Sequence, residues 1–281
     1  MERKWNPGHS DPERSEGKRH YFYFFRKNEM SSLISIVTPN YNCVHFIAQT
    51  INSVLSQTYK NWEMLIVDDC STDGSYEIAL EYAAKNSRIK VFRNEKNSGA
   101  AVSRNNAIKE SSGEYLAFLD SDDLWAPEKL ECQLKFMQEN NCDFSFTEYE
   151  HIDENGKSLH KKAKVIREFG YKKYFFHCWT GCLTVIYKQD VNCKIYGPNV
   201  KNNNDYALFL EVLKDGRKAM GMKESLAFYR IHTGSISRNK FKKIKPYISV
   251  LNKYNNIPKI FCYFFLFSNQ LIKKIWKYKK C

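Results

Sequence analysis

The densest chemistry in this 281-residue chain is the run Asp120-Ser121-Asp122-Asp123. Three carboxylates within four residues repel one another unless a cation or solvent neutralises them. Hard oxygen donors so arranged suit Mg2+ or Mn2+, ions that bind through one or two carboxylates and complete their shell with substrate phosphates. The competing reading is an acidic turn that caps the helix near Pro127. A second acidic pair, Asp68-Asp69, precedes Ser71, Thr72, Asp73 and Gly74. It reads either as the cap of the next helix, through Ser71 or Asp73, or as a carboxylate that hydrogen-bonds donors on a nucleobase or ribose.

The elements that must position these groups follow from periodicity. Leu33–Val37 is an apolar β-type run that ends at Thr38-Pro39, and Val44–Gln57 places Ile47, Ile51, Val54 and Leu55 on one helical face. Glu63–Val67 reads as a strand stopped by Asp68-Asp69. A helix after Gly74, strand Ile89–Phe92, an Ala-rich helix after Gly99 and strand Tyr115–Leu119 follow, the last ended by Asp120. Strands alternating with helices imply a parallel α/β sheet with right-handed crossovers, in which ligands sit beyond the carboxyl ends of the strands. Both acidic clusters fall at that edge. The second half is less regular: Phe144–Tyr149, Leu183–Tyr187 and Leu226–Arg230 read as strands, and Tyr206–Leu213 as a helix closed by Gly216.

Composition narrows the classes. A hydrophobic content of 43% and an aromatic content of 15% supply a core and exclude wholesale disorder. The net charge of +13 points at first to nucleic acid or a membrane surface. Its location decides between them: Lys240–Cys281 holds eleven Lys and no Arg, Asp or Glu, so 13 − 11 leaves +2 for the preceding 239 residues. The body is near neutral, no nucleic-acid recognition motif is present, and a nucleic-acid-binding role is set aside. Nine scattered cysteines without a CxxC pair argue against a disulfide framework or structural zinc and fit a reducing compartment. The five-residue aromatic run Tyr21–Phe25 is too short for a signal peptide, and the apolar run Ile260–Phe267 is too short to span a bilayer. The expected location is therefore cytoplasmic, on the inner face of the membrane. Residues 1–29 read as a disordered or extended start, with Met30 a candidate initiator, 30–239 as the α/β domain and 240–281 as a basic amphipathic tail.

Several segments, taken in order, resemble the family 2 glycosyltransferases. They are Val37-Thr38-Pro39-Asn40-Tyr41-Asn42, Ser53–Tyr59, Ile66–Ser75 with its Asp-Asp pair, Asn97-Ser98-Gly99 with Ser103-Arg104-Asn105, and Phe118–Trp125 around the Asp-x-Asp turn. The resemblance covers roughly residues 33–238. It implies a GT-A fold, with a Rossmann-like, mainly parallel sheet, and transfer of a sugar from a nucleotide-sugar donor. Thr38, Pro39 and Tyr41 would line the nucleotide pocket, Asp68 and Asp69 would serve the base, and Arg104 would approach the nucleotide portion of the donor. Asp120 and Ser121 would hold the ribose or the metal shell, and Asp122 would be the principal ligand of Mn2+ or Mg2+.

The family places a general base at a position commonly written Glu-Asp. Here the pair is Asn204-Asp205, so Asn204 stands where the Glu is usual, and Asp205 is the expected base. The alternative is that Asp205 only caps its helix. In the closing segment Tyr229–Ser237, His232 is expected to ligate the metal or reach the pyrophosphate, unless it is structural; Arg230 and Arg238 are candidate phosphate neutralisers. Trp179 either stacks on a sugar or belongs to the core. By family analogy the reaction is an inverting, non-processive transfer onto a lipid-linked glycan of the bacterial surface, such as capsule or O-antigen. A catalytically dead glycan-binding relative is the rival, and intact Asp122 and Asp205 argue against it.

The tail carries its own expectation. Phe261, Tyr263, Phe264, Phe265, Leu266, Phe267 and Trp276 lie among Lys clusters, a composition suited to the bilayer interface, where each Lys near anionic lipid contributes about 1 kcal/mol. The other reading is a helix packed on the catalytic body. Co-sedimentation with vesicles should show binding to anionic but not neutral lipid, weakened by salt and lost on deletion of residues 240–281. Binding indifferent to lipid charge, or surviving that deletion, would exclude the tail as the attachment.

Overall fold

The computed structural model describes residues 32–176 and 180–232, and strands β1 to β10 of this region belong to one sheet. The expected start (1–29), the tail (240–281), Cys178, Trp179 and Arg238 lie outside the described residues. Four parallel strands make the first half: β1 (Ile34–Asn40), β2 (Trp62–Asp68), β3 (Ile89–Arg93) and β4 (Tyr115–Phe118), in the order β3-β2-β1-β4. Alternate residues of these strands enter two cores, one on each face. Val37, Leu65, Val67, Leu116 and Phe118 go to one core, and Ile34, Ile36, Met64, Ile66 and Ala117 to the other. A sheet buried on both faces explains why these strands read as continuous apolar runs.

The first core is closed by α3 (Ala100–Glu110), α5 (Tyr171–Phe176) and α6 (Asn204–Leu213). The second is closed by α1 (Ile47–Leu55), α2 (Ser75–Lys85) and α4 (Lys129–Glu139), with Ile47, Ile51 and Val54 forming the apolar stripe of α1. This is a three-layer α/β architecture, as the alternation implies.

Past β4 the strand direction reverses. β9 (Ile186–Lys188) pairs antiparallel with β4 and with β6 (Phe144–Ile152), and β6 then pairs parallel with β10 (Ala219–Arg230). Two-residue β5 (Leu124–Trp125) and β8 (Glu168–Phe169) pair antiparallel with β10, and β7 (Ser158–Ala163) pairs with β6. The sheet is thus parallel in one half and mixed in the other. Pro39 sits in a central strand without breaking it, because pairing of β1 with β4 stops at Val37 and Phe118, and a missing N–H costs nothing beyond that point. No helix among the described residues is long and apolar enough to cross a membrane.

One core residue departs from expectation. Lys129, at the start of α4, is fully buried, and its ammonium lies 4.0 Å from the centre of the Trp125 ring. No hydrogen-bond acceptor reaches its Nζ. Burial holds its pKa well below the usual lysine range. The unfolded chain then binds the proton more tightly, so the destabilisation is full below the folded-state pKa and fades as pH rises toward the unfolded-state value. Lys129→Met, which keeps the stem and removes the ammonium, should raise stability by about 1–3 kcal/mol at neutral pH, the usual cost of an unsatisfied buried polar group. Denaturant unfolding of both proteins checks this, and a lower midpoint for the variant would mean that the ring contact outweighs the desolvation.

Candidate active site

The site forms where β1, β2 and β4 end. In the acidic turn after β4, the amide of Asp123 donates to the carbonyl of Asp120 at 3.1 Å. Helix α1 straps this turn: Thr50 Oγ1 lies 2.9 Å from the carbonyl of Ser121 and 2.9 Å from that of Asp123, and Cys43 Sγ donates to Ser121 at 3.3 Å. With its backbone so held, the turn sends its three carboxylates to three places.

Asp120 is paired with Arg104, a buried residue of α3, which also donates through Nη1 to Asn204 Oδ1 at the start of α6. Burial opposes the guanidinium charge, but Asp120 and Asp205 more than offset it and hold Arg104 above its ordinary range. Asp122 faces His232, with Oδ2 and Nε2 3.0 Å apart. Burial and the Asp120 charge raise the Asp122 pKa, and His232 opposes the shift. Asp123 points inward and accepts the amide of Arg230 at 2.8 Å; burial, then Asp122 and Asp120, push it well above the usual carboxylate range. Part of the neutralisation that the sequence left to a cation or solvent therefore comes from protein side chains.

Asp68, the last residue of β2, and Asp69 after it stand at the strand end as expected, and both are buried. Asp68 is fully buried; it accepts from Asn40 Nδ2 at 2.8 Å and the amide of Ser71 at 3.0 Å, and Arg93 lies 3.4 Å away. Asp69 accepts the amides of Ser98 and Gly99 and the Asn94 side chain, each at 2.7 Å. Gly99, at φ +86°, lets the chain turn so that both amides ahead of α3 face this carboxylate. Both aspartates organise the loops around the strand ends, and neither presents a free carboxylate to an open surface. Asp73 is likewise engaged, by the amides of Ser75 and Val44.

Thr38 is buried with no partner for Oγ1, Pro39 is half-buried, and Tyr41 stands exposed at the rim. Ser121 is buried within the turn. Asn204 and Asp205 open α6, which puts Asp205 in its first turn.

Arg230, a candidate phosphate neutraliser in the sequence, is engaged within the protein. Its guanidinium donates to the carbonyls of Asp122 and Glu154 at 2.7 and 2.8 Å and to Gln49 Oε1 at 2.9 Å, and it sits 4.8 Å from the Phe46 ring centre. A fully buried residue so engaged braces the acidic turn from behind. Sequence reasoning missed Asn40, Thr50 and Gln49. Each is a polar residue at the end or on one face of an apolar element, but none has a local partner that would single it out.

The metal expectation can be tested on the donor set. Asp122 and His232 offer one oxygen and one nitrogen at hydrogen-bond separation, with side chains 29% and 18% exposed, so the pair is reachable from outside. Among the described residues no three His, Cys, Asp or Glu side chains gather into a metal-holding group. Two protein donors fit a Mg2+- or Mn2+-type ion whose remaining positions are filled by water and diphosphate oxygens. They do not fit an all-protein cage.

An α/β sheet whose carboxyl edge carries an Asp-x-Asp turn, linked by Arg104 to Asn204 beside Asp205, has the architecture of the GT-A glycosyltransferases. The chain belongs to glycosyl transferase family 2, whose model matches residues 35–189. It is 45% identical over 213 residues, 76% of this chain and 84% of the relative, to a putative teichuronic acid biosynthesis glycosyltransferase, TuaG, of Bacillus subtilis. It is 40% identical over 235 residues, 83% of this chain and 91% of the relative, to WfgD of Escherichia coli, a UDP-Glc:alpha-D-GlcNAc-diphosphoundecaprenol beta-1,3-glucosyltransferase. Among solved structures, S. aureus TarS in complex with UDP-GlcNAc matches with a TM-score of 0.62 at 22% identity, over 82% of this chain and 69% of that one. Mannosyltransferase PcManGT from Pyrobaculum calidifontis, in complex with GDP-Man and Mn2+, matches with a TM-score of 0.61 at 13% identity, over 86% and 73%. These two likenesses establish the fold.

Proposed function

We propose that this glycosyltransferase carries out an inverting, metal-dependent transfer of a sugar from a nucleotide donor to a lipid-linked glycan acceptor in bacterial surface polysaccharide assembly. The observation that carries the reading is the buried Arg104, which joins Asp120 of the acidic turn to Asn204 beside Asp205. Donor-side and acceptor-side carboxylates thereby meet at one sheet edge. The names of the B. subtilis and E. coli relatives support the polysaccharide context and a diphosphate-linked lipid acceptor.

In this reading the nucleoside lies along the ends of β1, β2 and β4, against Thr38, Pro39 and the rim residue Tyr41. Asp68 and Asp69 shape the loops there, and direct contact of Asp68 with the base requires exchange of one of its internal hydrogen bonds. Asp120, held by Arg104, and the neighbouring Ser121 face the ribose and diphosphate. Asp122 and His232 would hold Mn2+ or Mg2+; when bound, the ion stabilises charge on the departing diphosphate. Asp205 takes the proton from the acceptor hydroxyl as its oxygen attacks the anomeric carbon. The new glycosidic bond forms as the bond from that carbon to the diphosphate oxygen breaks, the nucleoside diphosphate leaves, and the anomeric configuration inverts. Attachment of the tail to the inner leaflet would bring this edge to a membrane-held acceptor.

A panel of nucleotide sugars, scored by nucleotide release with Mn2+ present, tests the reading and identifies the donor. Asp122→Ala should abolish transfer and weaken metal-dependent donor binding with the fold intact; full activity of the variant, or of the wild type in EDTA, removes the metal role. Asp205→Asn should retain donor binding and lose at least about 10²-fold in rate, the lower range for a positioned base. A rate close to wild type places the base elsewhere, and a product with retained anomeric configuration refutes single displacement.

A further inference from the structure

The segment that leads into α6 runs back along α3 and is tied to it at three points. At the carboxyl end of α3, Lys194 Nζ donates to the carbonyls of Lys109 and Ser111, each at 2.7 Å. Midway, the Asn105 side chain engages the backbone of Gly197 with both of its functions: Nδ2 donates to the carbonyl at 2.7 Å, and Oδ1 accepts the amide at 2.9 Å. At the site end, Arg104 donates to Asn204. Ile195 and Val200 pack the segment against the first core, and these hydrogen bonds add directional ties to α3. Gly197 is also fixed from the opposite side, since a Cβ on it would lie 3.0 Å from the Cβ of Leu208 on α6.

We infer that Asn105 is a positioning residue for the transfer reaction: its two-bond grip on Gly197 sets where the following segment delivers Asn204 and Asp205. This rests on the reading of Asp205 as the base. Arg104 and Asn105 are neighbours on α3, so one helix turn holds the delivered segment both in its middle and at its end. Arg104 grips only the Asn204 side chain, whose rotatable bonds leave slack between the guanidinium and the backbone that leads into α6. The Asn105 contact is to main chain on both sides and transmits no such slack. An amide is the side chain that supplies one donor and one acceptor in a single plane. Asp at this position keeps the acceptor for the Gly197 amide but sets a carboxylate against the Gly197 carbonyl.

The test uses the full chain with the donor and acceptor on which the wild type transfers sugar. Asn105→Ala should lower kcat by about 10–100-fold, as small misplacements of a reacting group do, with donor KM and nucleotide affinity within about twofold of wild type. Asn105→Asp should fall between the two. Gly197→Ala, which pushes on α6 without touching the amide, should reproduce the kcat loss. Amide hydrogen exchange should quicken over residues 197–206 in Asn105→Ala and remain unchanged in β1, β2 and β4. An unchanged kcat, or a loss of donor affinity equal to the loss of kcat, overturns the inference. A wild type that transfers no sugar overturns the transfer reading instead, and the exchange measurement then decides whether Asn105 holds the segment.

Discussion

The site depends on one buried cation. Arg104 lies beneath the sheet edge with a carboxylate on one side and an amide on the other, and taking it out of water is costly unless its donors are matched. Asp120 and Asn204 take its two terminal nitrogens while Nε is left without an acceptor, and the two partners come from opposite ends of the fold: one follows a strand of the parallel half, the other begins the helix that enters the mixed half. Removing either partner would leave a charge or a fork of donors buried and unsatisfied. The energetic demand of the arginine is therefore what keeps the two halves of the site together. Asn204, at the position where the family resemblance leads one to expect Glu, fits this arrangement, because Arg104 already has one full carboxylate in Asp120 and needs from α6 only an acceptor.

A second constraint is the separation of three like charges. Asp120, Asp122 and Asp123 would repel one another if they shared a space. The turn gives each its own direction, and Arg104, His232 and Arg230 each answer one of them. Thr50 and Cys43 fix the backbone that makes this divergence possible. Asp120 has a guanidinium, Asp123 a backbone amide and Asp122 only the partly exposed imidazole of His232, so Asp122 is the one whose surroundings leave room for a cation.

Much of this was legible in the sequence. The parallel half was, because strands buried on both faces are unbroken apolar runs and their helices carry clean stripes such as Ile47, Ile51 and Val54. Helix α1 was read as starting at Val44, whereas Val44–Phe46 form a turn held by Asp73, a partner 29 residues away. Strand β10 was recognised only over Leu226–Arg230 because irregular register between Met222 and Ala227 breaks its alternation. Strand β7, Ser-Leu-His-Lys-Lys-Ala, was not recognised because an edge strand this polar carries no apolar signal. In the site, the acidic residues announced themselves by type and by standing at strand ends. What they touch did not, since Asp69 reaches residues 25 to 30 positions on and Arg230 reaches Gln49 across 181.

The reversal of strand direction between β4 and β9 divides the molecule by how freely it can vary. On the parallel side every crossover is short and both sheet faces are filled, so a change of length in a loop there displaces a packed helix. Beyond the seam, the connection from β9 to α6 is tied to α3 through Lys194, Gly197 and Asn204 and rests on the first core through Ile195 and Val200. The exposed parts of that connection, such as Val191, Asn192 and Lys201, can lengthen or change composition without moving the parallel strands. A lineage could in this way vary one side of the edge while the other stayed unchanged, and the seam marks where that freedom begins.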